Sequence, residues 1–206
     1  MKIVLIPILL ASLAACSTST APTTPVGGAS SIGSASRDAF GAYQVVQGSV
    51  TTNIPLPPAT GPTINGVQID RWSDVGGVTA ATYSDVNVVA VGGTDLGTYF
   101  AGITGTTTPA LPTTGTASYT GRYSLVVSGG SFTANLNLTA DFAAGTITDT
   151  SPTIVVNGTI TGGDVTGTVD YLGQSGTLKG GFYNHAAGGV VGAVLGTNIA
   201  GVIAAN

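Results

Sequence analysis

Few side chains in this chain can act as nucleophiles, general bases or metal ligands. The 206 residues include one histidine, His185, one cysteine, Cys16, nine aspartates and no glutamate. A Ser-His-Asp triad would have to use His185, and no Gly-x-Ser-x-Gly turn is present to display a serine. A zinc site needs several histidine or cysteine ligands, which this composition does not supply. The residue types therefore predict a protein that is not an enzyme and that holds no metal.

Cys16 ends an N-terminal leader. Lys2 precedes an apolar run over residues 3–10, and Leu-Ala-Ala leads into Cys16. A charged start, a short apolar run and small residues are typical of a secretory signal peptide, and the run is too short to span a bilayer. The Leu-Ala-Ala-Cys ending resembles the lipobox of bacterial lipoproteins, whose cysteine receives acyl chains such as palmitate. This resemblance implies cleavage before Cys16, lipidation there and stable anchoring in the outer membrane through two or more chains.

The composition excludes several classes of protein. Charged residues make up 7% of the chain, where about a quarter is usual. The net charge of −4 becomes −5 when the leader with Lys2 is lost, and there is no basic stripe to bind nucleic acid. Hydrophobic residues at 43% are more than a disordered chain usually carries. Valine, threonine and 32 glycines favour strands joined by tight turns.

The patterning predicts an all-β fold. Residues 132–139 alternate strictly, with Phe132, Leu136 and Leu138 on one face, and residues 82–91 read as another strand. Paired small residues at 129–130 and 162–163 are hairpin signals. Even spacing and period-2 patterning predict a small antiparallel barrel of about eight strands. Shorter strand patterns over residues 42–50 and 66–72 predict a β extension before the barrel.

These patterns divide the chain into four parts. Residues 1–15 are the signal peptide, and residues 16–36 combine the lipidated cysteine with a flexible linker of Ser, Thr, Ala, Gly and Pro. Residues 37–96 form the N-terminal β extension that packs on the barrel. Residues 97–206 form the barrel itself.

The last half of the chain resembles the transferrin-binding-protein-B-like family of surface lipoproteins. Residues 180–192, Gly-Gly-Phe-Tyr-Asn-His-Ala-Ala-Gly-Gly-Val-Val-Gly, resemble that family's Gly-x-Phe-Tyr-Gly-Pro-x-Ala-x-Glu-x-Gly-Gly segment. Residues 140–142, Ala-Asp-Phe, are similar to its Val-Asp-Phe hairpin. Residues 116–121 and 201–206 are similar to its Gly-x-Ala-x-Tyr-x-Gly strand and its closing strand. The resemblance covers residues from about 97 to 206 in matching order.

The resemblance implies an eight-stranded antiparallel barrel displayed on the outer surface. Known members of the family bind host iron carriers, haem proteins or complement regulators, so a non-enzymatic binding module is expected. Asn184 and His185 replace the family's Gly-Pro, no Glu follows Ala187, and the basic ending is missing. The barrel is therefore expected to be shared with the family, and the ligand is not carried over with it.

Three residues are candidates for ligand binding: Arg71, Trp72 and His185. Tryptophan and arginine are enriched among interface hot spots, and Trp72 is the single tryptophan of the chain. The alternative places Trp72 over one end of the barrel, with Arg71 paired to Asp70 or Asp74. His185 is a candidate axial haem ligand, although its place after the Phe-Tyr strand favours a local hydrogen-bonding role. No other cofactor is expected.

The favoured interpretation is a cell-surface lipoprotein that binds a host or environmental protein, including an iron- or haem-carrying one. Its ligand would contact loops 54–65 and 105–114 together with Arg71 and Trp72. The first alternative is a lipocalin-like carrier with a small hydrophobic ligand inside the barrel, where eight strands leave room for side chains or one such molecule. The second is a structural or adhesive coat lipoprotein.

Overall fold

The computed structural model describes residues 31–54, 60–108, 110–128, 130–149, 151–183 and 189–206, without the side chains of residues 74 and 75. The predicted signal peptide, Cys16 and most of the predicted linker lie outside these residues, as does His185. The described chain contains fifteen strands: β1 Ser34–Arg37, β2 Tyr43–Gln47, β3 Val50–Ile54, β4 Asp70–Val75, β5 Val78–Ser84, β6 Val88–Asp95, β7 Thr98–Gly105, β8 Thr116–Val127, β9 Gly130–Asp141, β10 Thr146–Asp149, β11 Ile154–Thr161, β12 Asp164–Tyr171, β13 Gln174–Tyr183, β14 Gly189–Leu195 and β15 Ile199–Ala205.

Strands β8 to β15 form a closed antiparallel barrel of eight strands in the order β10-β11-β12-β13-β14-β15-β8-β9. The alternation that predicts β9 is realised in its burial, because Leu136, Leu138 and Ala140 are buried while the residues between them are exposed. Inward-facing side chains from all eight strands form one contiguous apolar cluster. The all-β fold with an eight-stranded barrel is confirmed.

Strands β4 to β7 form a four-stranded antiparallel sheet, here called the flanking sheet, that packs on the outside of the barrel wall. Small residues dominate this contact, including Ala90 and Ala101 of the flanking sheet and Ala193, Ala200 and Ala204 of the barrel. A Cβ atom added at Gly92 would lie 2.5 Å from the backbone oxygen of Gly201. The two backbones therefore touch at a point that admits only glycine.

Strands β1 to β3 form a three-stranded sheet, here called the outer sheet, that covers the opposite face of the flanking sheet. Tyr43, Val45 and Ile54 of the outer sheet pack against Trp72 and Phe100 of the flanking sheet. The flanking sheet is thus a middle layer with apolar contacts on both faces, and its strands read as near-continuous apolar runs for that reason.

The predicted boundaries differ from the observed ones in the first half of the chain. The barrel begins at Thr116 and not at residue 97, because Leu96 and Gly97 form a two-residue turn that returns β7 along β6. The predicted strand over residues 82–91 is interrupted because the Asp85 carboxylate accepts hydrogen bonds from the backbone N–H groups of Asn87 and Val88, at 2.7 and 3.0 Å. These bonds close a turn between β5 and β6.

The assigned linker also contains a strand. Residues Ser34–Arg37 form β1 and pair with β2. Just before it, Gly33 donates to the oxygen of Ala101 at 2.9 Å and accepts from the N–H of Ile103 at 3.0 Å. This segment has no apolar alternation of its own, so its strand conformation depends on partners that are distant in sequence.

Candidate functional site

Trp72 lies in the core and not on the surface. Its side chain is 1% exposed, and its ring meets that of Tyr43 edge-on with centroids 5.6 Å apart. Successive residues of a strand point to opposite faces, so Trp72 faces the outer sheet while Arg71 and Ser73 face the barrel. The ring lies between the outer and flanking sheets, in contact with the apolar cluster that joins them. A role of Trp72 in ligand binding therefore remains a prediction, and the effect of Trp72 on a ligand would be indirect, through Tyr43 and the outer sheet.

Arg71 links the flanking sheet to the barrel. Its guanidinium donates to the Thr133 hydroxyl at 3.4 Å, and the Thr133 hydroxyl donates to Ser124 at 2.9 Å. The Asp70 carboxylate, predicted as one of two alternative partners of Arg71, accepts a hydrogen bond from the Gln68 amide at 2.8 Å. The side chain of Asp74, the other predicted partner, lies outside the described part. Arg71 is half-buried and bridges two sheets through hydroxyl groups.

The predicted ligand loops are attached to the barrel where they are described. In loop 54–65, the buried guanidinium of Arg122 donates to the Pro62 oxygen at 2.8 Å, and the Asn206 amide donates to the Asn65 oxygen at 3.0 Å. In loop 105–114, the Thr108 N–H donates to the Phe182 oxygen at 2.8 Å. Hydrogen bonds to side chains and backbone of the barrel hold the described parts of both loops in position. Both loops remain predicted ligand contacts.

A surface groove that the sequence reasoning missed lies between the outer sheet and the turns of the flanking sheet. This groove, here called the outer groove, has a volume of about 590 Å³. Tyr43, Ile54 and Val78 supply apolar lining, while Asp38 and Asp95 supply two carboxylates. Its volume is within the roughly 300–1,000 Å³ of ligand pockets.

Two large apolar side chains flank the outer groove on turn tips. Phe40 is 87% exposed in the turn between Asp38 and Ala42, and Leu96 is 85% exposed directly after Asp95. The Asp38 carboxylate holds the first turn in place by accepting from the N–H groups of Phe40 and Ala42, at 2.8 and 2.9 Å. Phe40 is therefore presented to solvent by an ordered turn.

Leu96 adopts a backbone conformation that leucine avoids. Its φ is +46° and that of Gly97 is +85°, which are values of the hairpin turn that favours Asn-Gly. Asn65 and Gly66 form the same turn with φ values of +47° and +76°. A leucine with this backbone conformation lowers the stability of the fold. The sequence feature that could have revealed this turn is Asp-Leu-Gly, in which leucine stands where such a turn usually has asparagine.

The barrel interior is occupied by its own side chains. The rings of Tyr123 and Phe132 contact that of Tyr171 at centroid distances of 5.6 and 5.5 Å. Phe182 contacts Tyr119 and Phe142 at 5.6 and 5.8 Å. These contacts fill space that a lipocalin-like carrier would need for its ligand, and they do not support that alternative.

Two buried tyrosines predict how stability depends on pH. Burial raises the pKa of Tyr183 to about 12, with a smaller contribution from the Asp164 carboxylate. Burial, followed by the charge of Asp85 and its hydrogen bond, also raises the pKa of Tyr83. The folded state therefore keeps both phenols protonated after the unfolded chain begins to lose its protons near pH 10.

The two phenols are accordingly expected to leave the free energy of unfolding unchanged below about pH 10 and to lower it as the pH rises toward 12. Urea titrations at pH 8, 10, 11 and 12 measure this dependence. The Tyr183→Phe variant is expected to lose stability less steeply over this interval. An equally steep loss in that variant would show that the Tyr183 phenol does not contribute.

Within the described ranges, no group of three or more His, Cys, Asp or Glu side chains could hold a metal ion. In the same part of the chain no helix is long and apolar enough to cross a membrane.

Comparison with known proteins gives matches among solved structures. No protein-family model matches the chain. No curated protein matches it either. The chain is similar to transferrin binding protein B from Neisseria meningitidis serogroup B, with 17% identity and a TM-score of 0.48 over 79% of this chain and 37% of that one. The corresponding protein from Haemophilus parasuis gives 14% identity and a TM-score of 0.45 over 79% and 40%.

A third similar structure is HpuA from Kingella denitrificans in complex with human haemoglobin. It gives 13% identity and a TM-score of 0.44, over 84% of this chain and 85% of that one. The chain spans about two fifths of the length of the two transferrin binding proteins. At these identities the similarity concerns the fold alone.

Proposed function

We propose that this protein is a lipid-anchored, surface-displayed binding module of the outer membrane that captures a host protein carrying iron or haem, without catalysing a reaction. The lipobox-like leader ending at Cys16 and the uncharged segment after it support anchoring at a distance from the membrane. The sequence motifs over residues 97–206 support a barrel like that of the family they resemble, and the proposed ligand class is taken from the known members of that family.

The main support for a binding role comes from two exposed apolar side chains on turns beside the outer groove, here called the exposed tips. Phe40 and Leu96 are both more than four-fifths exposed, and they flank a groove lined by apolar and acidic side chains. Single exposed apolar residues are ordinary on a protein surface. Two of them beside one groove, one in a strained turn and one in a turn held by Asp38, indicate a surface that is shaped for a partner.

Haemoglobin and transferrin are the first probes for this function, because the similar structures include transferrin binding proteins and HpuA in complex with human haemoglobin. Cells that display the full-length protein are incubated with each labelled probe, and bound label is measured before and after external protease. We expect one of the two probes to bind and external protease to remove the binding. Binding of neither probe would contradict the ligand class, and protease resistance on intact cells would contradict surface display.

Replacing the exposed tips tests whether the outer groove is the binding face. Phe40→Ala and Leu96→Asn are each expected to weaken binding about tenfold or more, as loss of an interface anchor does. Leu96→Asn is also expected to raise the free energy of unfolding by about 0.5–1 kcal/mol, because asparagine accepts a positive φ more readily than leucine. Affinity is measured by titration and stability by urea unfolding.

Leu172→Asn is the matched control for this prediction. Leu172 is also followed by glycine, has a φ of +49° and is 66% exposed, but it lies in the β12–β13 turn of the barrel. Leu96 directly follows Asp95 of the outer groove, whereas neither neighbour of Leu172 in the sequence lines that groove. This variant is expected to gain stability as Leu96→Asn does and to keep its affinity. Equal affinities for all three variants would place the binding face elsewhere.

A further inference from the structure

A second cleft, here called the hydroxyl cleft, lies where the flanking sheet meets the β8–β9 hairpin. Its volume is about 350 Å³, at the lower end of the roughly 300–1,000 Å³ of ligand pockets. Six of its lining residues carry hydroxyl groups: Ser73, Thr79, Thr94, Tyr99, Ser128 and Ser131. Val126 and Val127 add an apolar wall, and no charged side chain is among the lining residues of the described chain.

One of these hydroxyls lacks a partner. The Oγ1 atom of Thr94 is buried and forms no hydrogen bond with the described residues. A buried hydroxyl without a partner destabilises a fold, and such groups are rare in native structures. A valine at this position would have nearly the same shape and would avoid the cost. Because the Thr94 Oγ1 atom is also out of contact with solvent, a ligand provides the missing partner by displacing the side chains that cover this atom.

The lining chemistry points to one class of ligand. Hydroxyl side chains both donate and accept hydrogen bonds, which matches a molecule with several hydroxyl groups of its own. The absence of a charged residue from the lining disfavours an ion, while the Val126, Val127 and Tyr99 surfaces suit the C–H faces of a ring. The volume suits a single hexose ring.

We propose that the hydroxyl cleft is a binding site for a neutral sugar residue, formed by Thr94 and Tyr99 of the flanking sheet and Ser128 and Ser131 of the β8–β9 hairpin. The site is separate from the outer groove, and it does not depend on the ligand class proposed above. Arg71 donates a hydrogen bond to Thr133. Each of these two residues lies two positions farther from the turn of its hairpin than the cleft residue on the same strand, which is Ser73 on β4 and Ser131 on β9. This contact joins the two sheets that form the walls of the cleft.

Saturation-transfer NMR on the purified full-length protein tests the proposal with glucose, galactose, mannose and N-acetylglucosamine as probes. At least one probe is expected to receive saturation, and Thr94→Val is expected to weaken its binding about tenfold through the loss of one hydrogen bond. Thr94→Val is also expected to unfold at a higher temperature, because it removes the unpaired hydroxyl.

Thr82→Val is the matched control. Thr82 is 1% exposed, and its Oγ1 atom also lacks a partner among the described residues, but the residue does not line the hydroxyl cleft. This variant is expected to gain thermal stability and to bind the sugar as the unaltered protein does. An equal loss of binding in both valine variants would overturn the proposal, as would the absence of saturation on all four probes.

A second pair of variants keeps the test independent of Thr94. Ser131→Tyr places a ring in the cleft from the hairpin and is expected to abolish sugar binding. Ser118→Tyr places the same ring on an exposed strand position at the far end of β8 and is expected to leave binding unchanged. Sugar binding that persists in Ser131→Tyr would overturn the proposed location.

Discussion

Trp72→Ala is expected to lower the free energy of unfolding by about 3–5 kcal/mol, the cost of removing a large aromatic side chain from a core. Trp72 is among the largest side chains that are fully buried in the described structure. It lies between the outer and flanking sheets, and its ring meets the Tyr43 ring edge-on, with the two ring centroids 5.6 Å apart. Removing the indole leaves a cavity between two small sheets that have few other large side chains to fill it. Urea unfolding followed by circular dichroism measures the loss.

Trp72→Phe is the control for this prediction and is expected to cost less, because a ring still fills part of the space. Arg71→Ala is expected to change stability by about 1 kcal/mol or less, since the Arg71 guanidinium makes a long hydrogen bond at 3.4 Å. A Trp72→Ala variant as stable as Trp72→Phe would show that the indole is not a core element. Loss of ligand binding in Trp72→Ala alone is therefore uninformative about the binding face, and the exposed tips Phe40 and Leu96 provide the better test.

The barrel was predictable because its strands carry their own pattern. In β9 and β11 each buried residue alternates with an exposed one, so the sequence shows both the strand and its inward face. The flanking sheet is buried on both faces and has no such alternation. One of its turns was also hidden, because the Asp85 turn interrupts residues 82–91, which read as one continuous strand.

The candidate site was harder to predict for a related reason. Asp70, Arg71 and Trp72 read as an exposed polar segment with an aromatic anchor, but a strand between two layers sends alternate residues to different neighbours. Arg71 faces the barrel and Trp72 faces the outer sheet, which no local pattern shows. The exposed positions of Phe40 and Leu96 depend on turns whose type the neighbouring glycines only suggest.

The layer arrangement relates the two proposed sites to each other. The outer groove lies between the outer and flanking sheets, and the hydroxyl cleft lies between the flanking sheet and the barrel. The flanking sheet contributes to both through β5 and β6, with Val78 and Asp95 in the groove and Thr79 and Thr94 in the cleft. The packing of the flanking sheet on the barrel therefore affects both sites.

The close packing of the flanking sheet on the barrel depends on Gly92. Gly92→Val is expected to lower the free energy of unfolding by about 3 kcal/mol, at the upper end of the usual cost of overpacking a core. The Cβ of valine would lie 2.5–2.6 Å from the O, Cα and N atoms of Gly201, and backbone cannot rotate away as a side chain can. The flanking sheet would have to lift from β15, which separates the small side chains of Ala90 and Ala200 that pack nearby.

Gly48→Ala separates this effect from the general cost of replacing glycine. A Cβ at Gly48 meets nothing within 4 Å, and the positive φ of +59° limits the expected loss to about 1 kcal/mol. Both variants are compared by urea unfolding and by saturation transfer to the sugar probes, because lifting the flanking sheet would also open the hydroxyl cleft. If Gly92→Val is no less stable than Gly48→Ala, the two backbones do not touch in solution. In that case the flanking sheet is not seated on the barrel closely enough to shape either site.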